Sequence, residues 1–88
     1  MKTRFAARFG RDLRKVKDQA LLERVNAVIE EIEAAETLAG ITNLKQLKGY
    51  SHLYRIRIGE YRLGIYCESD EVQLTRFGHR KDFYRKHP

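Results

Sequence analysis

Cys67 is the only cysteine among 88 residues, so neither an internal disulfide nor a cysteine-based zinc site can form. No apolar run approaches the ~20 residues that a bilayer span needs. The first residues, Met1 to Arg8, lack the apolar stretch of ~7–15 residues that marks a secretory signal, and the chain is expected to stay in the cytoplasm. There is no glycine-rich phosphate loop, no cluster of metal-ligating side chains, no internal repeat, no linker and no low-complexity tract. A length of 88 residues points to one domain spanning 1–88, near the size at which a single core only just suffices. With 42% hydrophobic residues and a mean hydropathy of −0.62, the composition is that of an ordinary globular chain.

What is present is charge, unevenly spread around a net +6. Residues 1–18 carry seven Lys/Arg against two Asp/Glu, residues 19–40 one against five, and residues 41–88 ten against five. A basic C-terminal half beside an acidic segment makes a polarised molecule with one anion-seeking face.

Two stretches near the end say where that face lies. Residues 54–63, from Tyr54 to Leu63, alternate apolar and polar residues on both sides of Gly59-Glu60, and glycine as first central residue suits a two-residue type II′ hairpin turn. Ile58 then faces Tyr61, Arg57 faces Arg62, Ile56 faces Leu63 and Arg55 faces Gly64. One face carries Tyr54, Ile56, Ile58, Tyr61, Leu63 and Ile65 for a core; the other collects Arg55, Arg57 and Arg62. Like charges directly opposite in a sheet are destabilising. Folding alone gives no reason for that placement, and a nucleic-acid backbone does. The second stretch is Phe77-Gly78-His79-Arg80-Lys81-Asp82-Phe83-Tyr84.

Elsewhere, residues 2–7 read as a first strand, with Phe5 its apolar residue. Phe9, Leu13 and Val16 fall at helical spacing. Asp18 is placed to cap a second helix over 19–36, whose buried stripe is Leu22, Val25, Ile29 and Ile32, widened by Leu21 and Val28. The connection from Thr37 to Tyr50 has room for a short extended piece. Strands follow at 53–58, 61–68 and 71–78, with a second turn at Ser69-Asp70, and the tail can hold one helical turn before Pro88. The fold class is α+β, in the order β-α-α-β-β-β: an antiparallel meander with an αα-hairpin packed on one face.

That order, with Leu47-Lys48-Gly49, the hairpin from Tyr54 to Arg62, and Gly78-His79-Arg80 followed by Tyr84, resembles the RelE branch of the RelE/ParE superfamily of bacterial toxin–antitoxin systems. The resemblance covers nearly the whole chain. It implies a ribosome-dependent endoribonuclease that cuts mRNA in the decoding site, inhibits translation and is neutralised in a hetero-oligomer with a cognate antitoxin. It also implies no metal or other cofactor: the ribose 2′-hydroxyl attacks the adjacent phosphate, leaving a 2′,3′-cyclic phosphate. Carried over by motif, the catalytic positions are Arg55, Arg57, Arg62, Arg80 and Tyr84. RelE itself has lysines where this chain has Arg55 and Arg57. Arginine effectively cannot lose its proton, so these two are expected to act by fixed charge on the pentacovalent phosphate. Proton transfer then falls to His79, a residue type that titrates near neutrality, or to Tyr84.

Among further candidates, Lys48 and Lys81 are expected to touch RNA. Tyr66 and Phe77, placed on the arginine side, can stack on a base or wall the antitoxin's apolar edge. An unbulged second turn would pair Phe77 with Arg62 and bring His79 to the same face. Cys67 falls on the apolar face as a small core residue; His52 and His87 are expected to be structural or incidental, although His52, just before the strand, is placed where it could contact RNA. Two other functions share these features. A ParE-like gyrase inhibitor keeps the fold but generally lacks the hairpin arginines, and an inactive relative would bind RNA or antitoxin without cutting.

Overall fold

Alternation and the glycine turn produce the expected hairpin. In a computed structural model that describes residues 1–86, β3 (Leu53–Ile58) and β4 (Tyr61–Glu68) pair antiparallel. Ile58 lies opposite Tyr61, Arg57 opposite Arg62, Ile56 opposite Leu63 and Arg55 opposite Gly64. Gly59 takes φ 59° while Glu60 stays outside the left-handed region, which is the type II′ pattern. β5 (Glu71–His79) continues the meander through Ser69-Asp70, where Ser69 has φ 58°.

Two flanking strands complete a five-stranded sheet of order β1-β5-β4-β3-β2. β1 (Lys2–Phe5) runs parallel to β5, and β2 (Leu44–Gln46) pairs antiparallel with β3. β2 is the extended piece of the connection, and it sets Lys45 opposite Arg55. The tail's helical turn grows to seven residues, α3 (Arg80–Lys86). His87, Pro88 and the expected helix stop at Pro88 lie outside the described residues.

α1 (Ala7–Arg14) and α2 (Gln19–Ala34) form the αα-hairpin. Asp18 caps α2 by accepting from the Leu21 N–H at 3.2 Å. Leu21, Val25 and Ile32 are buried along that helix, with Leu22, Val28 and Ile29 half-buried beside them. They meet Ile56, Ile58, Leu63, Ile65 and Cys67 of the hairpin, Val72, Leu74 and Phe77 of β5, and Phe9 of α1 in one core. Each large apolar side chain buried this way contributes about 1.5–3 kcal/mol. Phe5 is not part of it: the ring is 54% exposed and stacks on Phe9 at 6.0 Å. Burial raises the Cys67 thiol above its ordinary range, with the Asp70 charge adding to it, so Cys67 is a poor nucleophile.

The register of β4 with β5 departs from simple alternation. Ile65 faces Leu74, but Gly64 faces Arg76, so Thr75 is the extra residue of a β-bulge. Every residue beyond it moves by one. Phe77 therefore lies opposite Leu63 on the covered face and His79 opposite Tyr61, while Gly78 takes the place opposite Arg62. Where β1 ends, α1 takes its place against β5. The Asp12 carboxylate accepts there from the Phe77 N–H at 2.9 Å and from Arg76 Nε at 3.3 Å.

Candidate active site on the hairpin face

The meander exposes a row of cations that no carboxylate balances. β3 presents Arg55 and Arg57, β4 presents Arg62, and β2 adds Lys45 beside Arg55. Among the described residues, none of these four has an acidic side chain within 4.0 Å. Opposed charges such as Arg57 and Arg62 cost a few tenths of a kcal/mol up to about 1 kcal/mol, a cost the fold carries without return in the free protein.

The cations converge at the hairpin tip. An open depression of about 570 Å³ wraps around the Gly59-Glu60 turn and is lined by Arg24, Asn43, Arg57, Arg62 and Arg80. Arg62 folds back so that Nη1 donates to the carbonyls of Gly59 and Tyr61, both at 2.9 Å, and its buried Nε has no acceptor. Arg55 sits two register pairs further along on the same face, its Nη1 donating to the Asn43 carbonyl at 2.9 Å, which also accepts from the Arg57 N–H at 3.2 Å. α3 brings in Arg80, whose backbone N–H donates to the Glu60 carbonyl at 2.8 Å and whose Nε pairs with the Glu60 carboxylate at 2.7 Å. Tyr84 is exposed and stands four residues after Arg80, so the two share a helix face.

Other expected residues lie apart. Phe77 is 4% exposed and stacks on Tyr61 at 5.3 Å, so it belongs to the core and offers no base-stacking surface on the arginine side. His79 packs edge-on against Tyr61 at 5.4 Å on that same covered side. Its Nδ1 accepts from the Lys81 N–H at 3.2 Å, the position of a capping side chain at the start of α3. Both displacements follow from the bulge at Thr75. Tyr66 is on the open face, about 13 Å along the strand from Arg62. Its phenol donates to Glu68 at 2.9 Å, and that bond, then burial and the Glu68 charge, hold it above the ordinary tyrosine range. Lys48 is exposed in the loop before Gly49, and Lys81 is exposed on α3. Three lining or flanking residues escaped the sequence reading: Lys45, Asn43 and Arg24. Arg24 was detectable as the one basic residue in the acidic stretch 19–40. Among the described residues no group of three or more His, Cys, Asp or Glu side chains could hold a metal ion.

No protein-family model matches the chain. It is similar over its full length to the toxin RelE3 of Methanocaldococcus jannaschii, with 37% identity covering 100% of both chains. The chain belongs to the RelE toxin family. Its structure is similar to the RelB–RelE antitoxin–toxin complex from Methanococcus jannaschii, with a TM-score of 0.82, 35% identity, and coverage of 97% of this chain and 99% of that one. The archaeal RelE–RelB complex from Pyrococcus horikoshii OT3 matches at a TM-score of 0.72 with 17% identity, covering 90% and 93% of the two chains, and speaks to the fold alone. For a RelE-family chain, the α+β class, the meander and the hairpin arginines fall where the motifs put them. Among the described residues no helix is long and apolar enough to cross a membrane.

Proposed function

We propose that this chain is the toxin of a RelBE-type toxin–antitoxin pair, working in the cytoplasm, and that it inhibits translation by cutting mRNA on the ribosome. The observation that carries this is the pair Arg57 and Arg62 at the hairpin tip, which has no carboxylate partner among the described residues, joined by Arg80, held there by the exposed Glu60, and backed by Arg55 and Lys45. Its family membership supplies the context, and the similar RelE from Methanococcus jannaschii was solved in an antitoxin–toxin complex with RelB.

In the proposed reaction the 2′-oxygen attacks the adjacent phosphorus and the bond to O5′ breaks. The products are a 2′,3′-cyclic phosphate and a 5′-hydroxyl, so one proton leaves the 2′-hydroxyl and one reaches O5′. Arginines cannot take that proton; they hold charge on the phosphoryl oxygens as it builds. Arg62 is the chief donor, because it lines the depression at the tip and has no carboxylate partner among the described residues. Arg80 joins once the incoming phosphate displaces Glu60, an exposed pair worth little in water. Tyr84, on the Arg80 face of α3, is assigned the proton work, and His79 the anchoring of α3. The depression at the tip is open and does not enclose a nucleotide, which fits leaving alignment of the 2′-hydroxyl to the ribosome.

Primer extension on mRNA after brief induction in cells, wild type beside Arg62→Ala, tests this reading. New in-frame ends in the wild type alone support it, and antitoxin binding should survive the substitution. Growth arrest with intact mRNA would instead point to gyrase. Full toxicity of Arg62→Ala would show that the active face is misassigned.

A further inference from the structure

Arg24 has no partner in its own helix. The residues three and four positions away on α2, Ala20, Leu21, Ala27 and Val28, are all apolar, although the helix carries several glutamates. An i,i+4 glutamate would have been the simplest way to satisfy a lone helical arginine. Among the described residues no carboxylate lies within 4.0 Å of it. Its guanidinium instead lies over the hairpin tip, so close that a Cβ added to Gly59 would meet Nη1 at 3.0 Å.

The ground between Arg24 and the sheet is held in place. Glu31, two turns along α2, accepts from the Thr42 N–H at 2.9 Å and from its hydroxyl at 3.0 Å. That tether fixes the next residue, Asn43, at φ 61° with its carbonyl bonded to Arg55 and Arg57. Arg24 and Asn43 thereby line the same depression as Arg57, Arg62 and Arg80, approaching it from the helical side of the molecule. An isolated scissile phosphate needs cations on the hairpin face only. A strip of positive charge that continues over the tip to α2 fits a polyanion that runs past that phosphate.

We propose that Arg24, with Asn43 beside it, forms a second phosphate subsite that grips an RNA phosphodiester next to the one cleaved. This rests on the nuclease reading above, and it makes α2 a part of the RNA-binding surface. The phosphate belongs either to the message or to ribosomal RNA, which present the same chemistry.

The test compares wild type, Arg24→Ala and Arg24→Lys in two binding titrations across a range of salt. One uses a single-stranded oligoribonucleotide, the other ribosomes with an empty decoding site; cleavage on programmed ribosomes is measured alongside. Alanine is the best helix former, so the variant keeps α2. Arg24→Ala should weaken binding about tenfold, as loss of a charge-assisted contact does. It should reduce the salt slope by about 0.7, one phosphate contact fewer. KM should rise with kcat nearly unchanged, and Arg24→Lys should restore most of the slope. A loss on the oligonucleotide assigns the phosphate to the message; a loss on ribosomes alone assigns it to ribosomal RNA. An unchanged slope in both titrations, with wild-type KM, overturns the subsite and leaves the nuclease reading intact. Wild-type protein that binds neither RNA would overturn the nuclease reading itself.

Discussion

Gly59 has two duties. It supplies φ 59° for the type II′ turn, and it leaves room for the Arg24 guanidinium that lies over it. Gly59→Ala should therefore destabilise the protein by about 1–3 kcal/mol in urea denaturation, from strain at positive φ plus displacement of Arg24. Combining it with Arg24→Ala should recover the part due to crowding. A Gly59→Ala protein with wild-type stability would mean the turn is not the one described. At this scale the sequence was informative about the hairpin, because period-two alternation and a glycine turn determine both register and face. It marked Arg24 only as a lone base in an acidic stretch and was silent about its placement, which depends on α2 crossing the hairpin tip, a packing outcome that no local pattern encodes.

Among the elements, β5 is the one whose local pattern and final geometry disagree. Its apolar residues fall at 72, 74 and 77, so the spacing changes from two to three across Thr75. That change is the trace of the bulge, and reading straight alternation through it put Phe77 and His79 on the wrong face. β2 was hard to see for a different reason: Leu44-Lys45-Gln46 is a short, polar edge segment that becomes a strand only by pairing with β3. The far edge of β5 beyond β1 is completed by Asp12, whose side chain and that of Arg76 are 12% and 14% exposed. Asp12→Ala should cost about 3–5 kcal/mol, since it strands a nearly buried guanidinium that already has one unbonded nitrogen, and the Phe77 N–H with it. A drop in Tm of only a degree or two would show that the pair contributes little. Where β5 passes into α3, His79→Ala should lose about 0.5–2 kcal/mol of capping. His79→Asn can cap and should keep near-wild-type cleavage; a loss of 100-fold or more in that variant would restore His79 as the proton carrier.

Across the whole molecule, helices close one face of the sheet and leave the other, with its hairpin tip, to the cations. The core is built without Arg55, Arg57, Arg62 or Lys45, so packing does not explain their cost to the free protein, whereas the proposed binding of an RNA backbone does. The same polarity suits an antitoxin segment rich in Asp and Glu, and occupancy of the face by such a segment would silence the toxin directly. On the proposed reading, this open face cuts mRNA only where the ribosome presents it. Single-turnover cleavage of a defined message, free and on programmed ribosomes, is the decisive measurement, with Arg62→Ala beside the wild type. The wild type should cut in the decoding-site codon on ribosomes and leave the free message largely intact, and Arg62→Ala should lose about 10²–10³-fold in rate. Efficient cleavage of free RNA, or an Arg62→Ala protein that cuts at the wild-type rate, would contradict that reading.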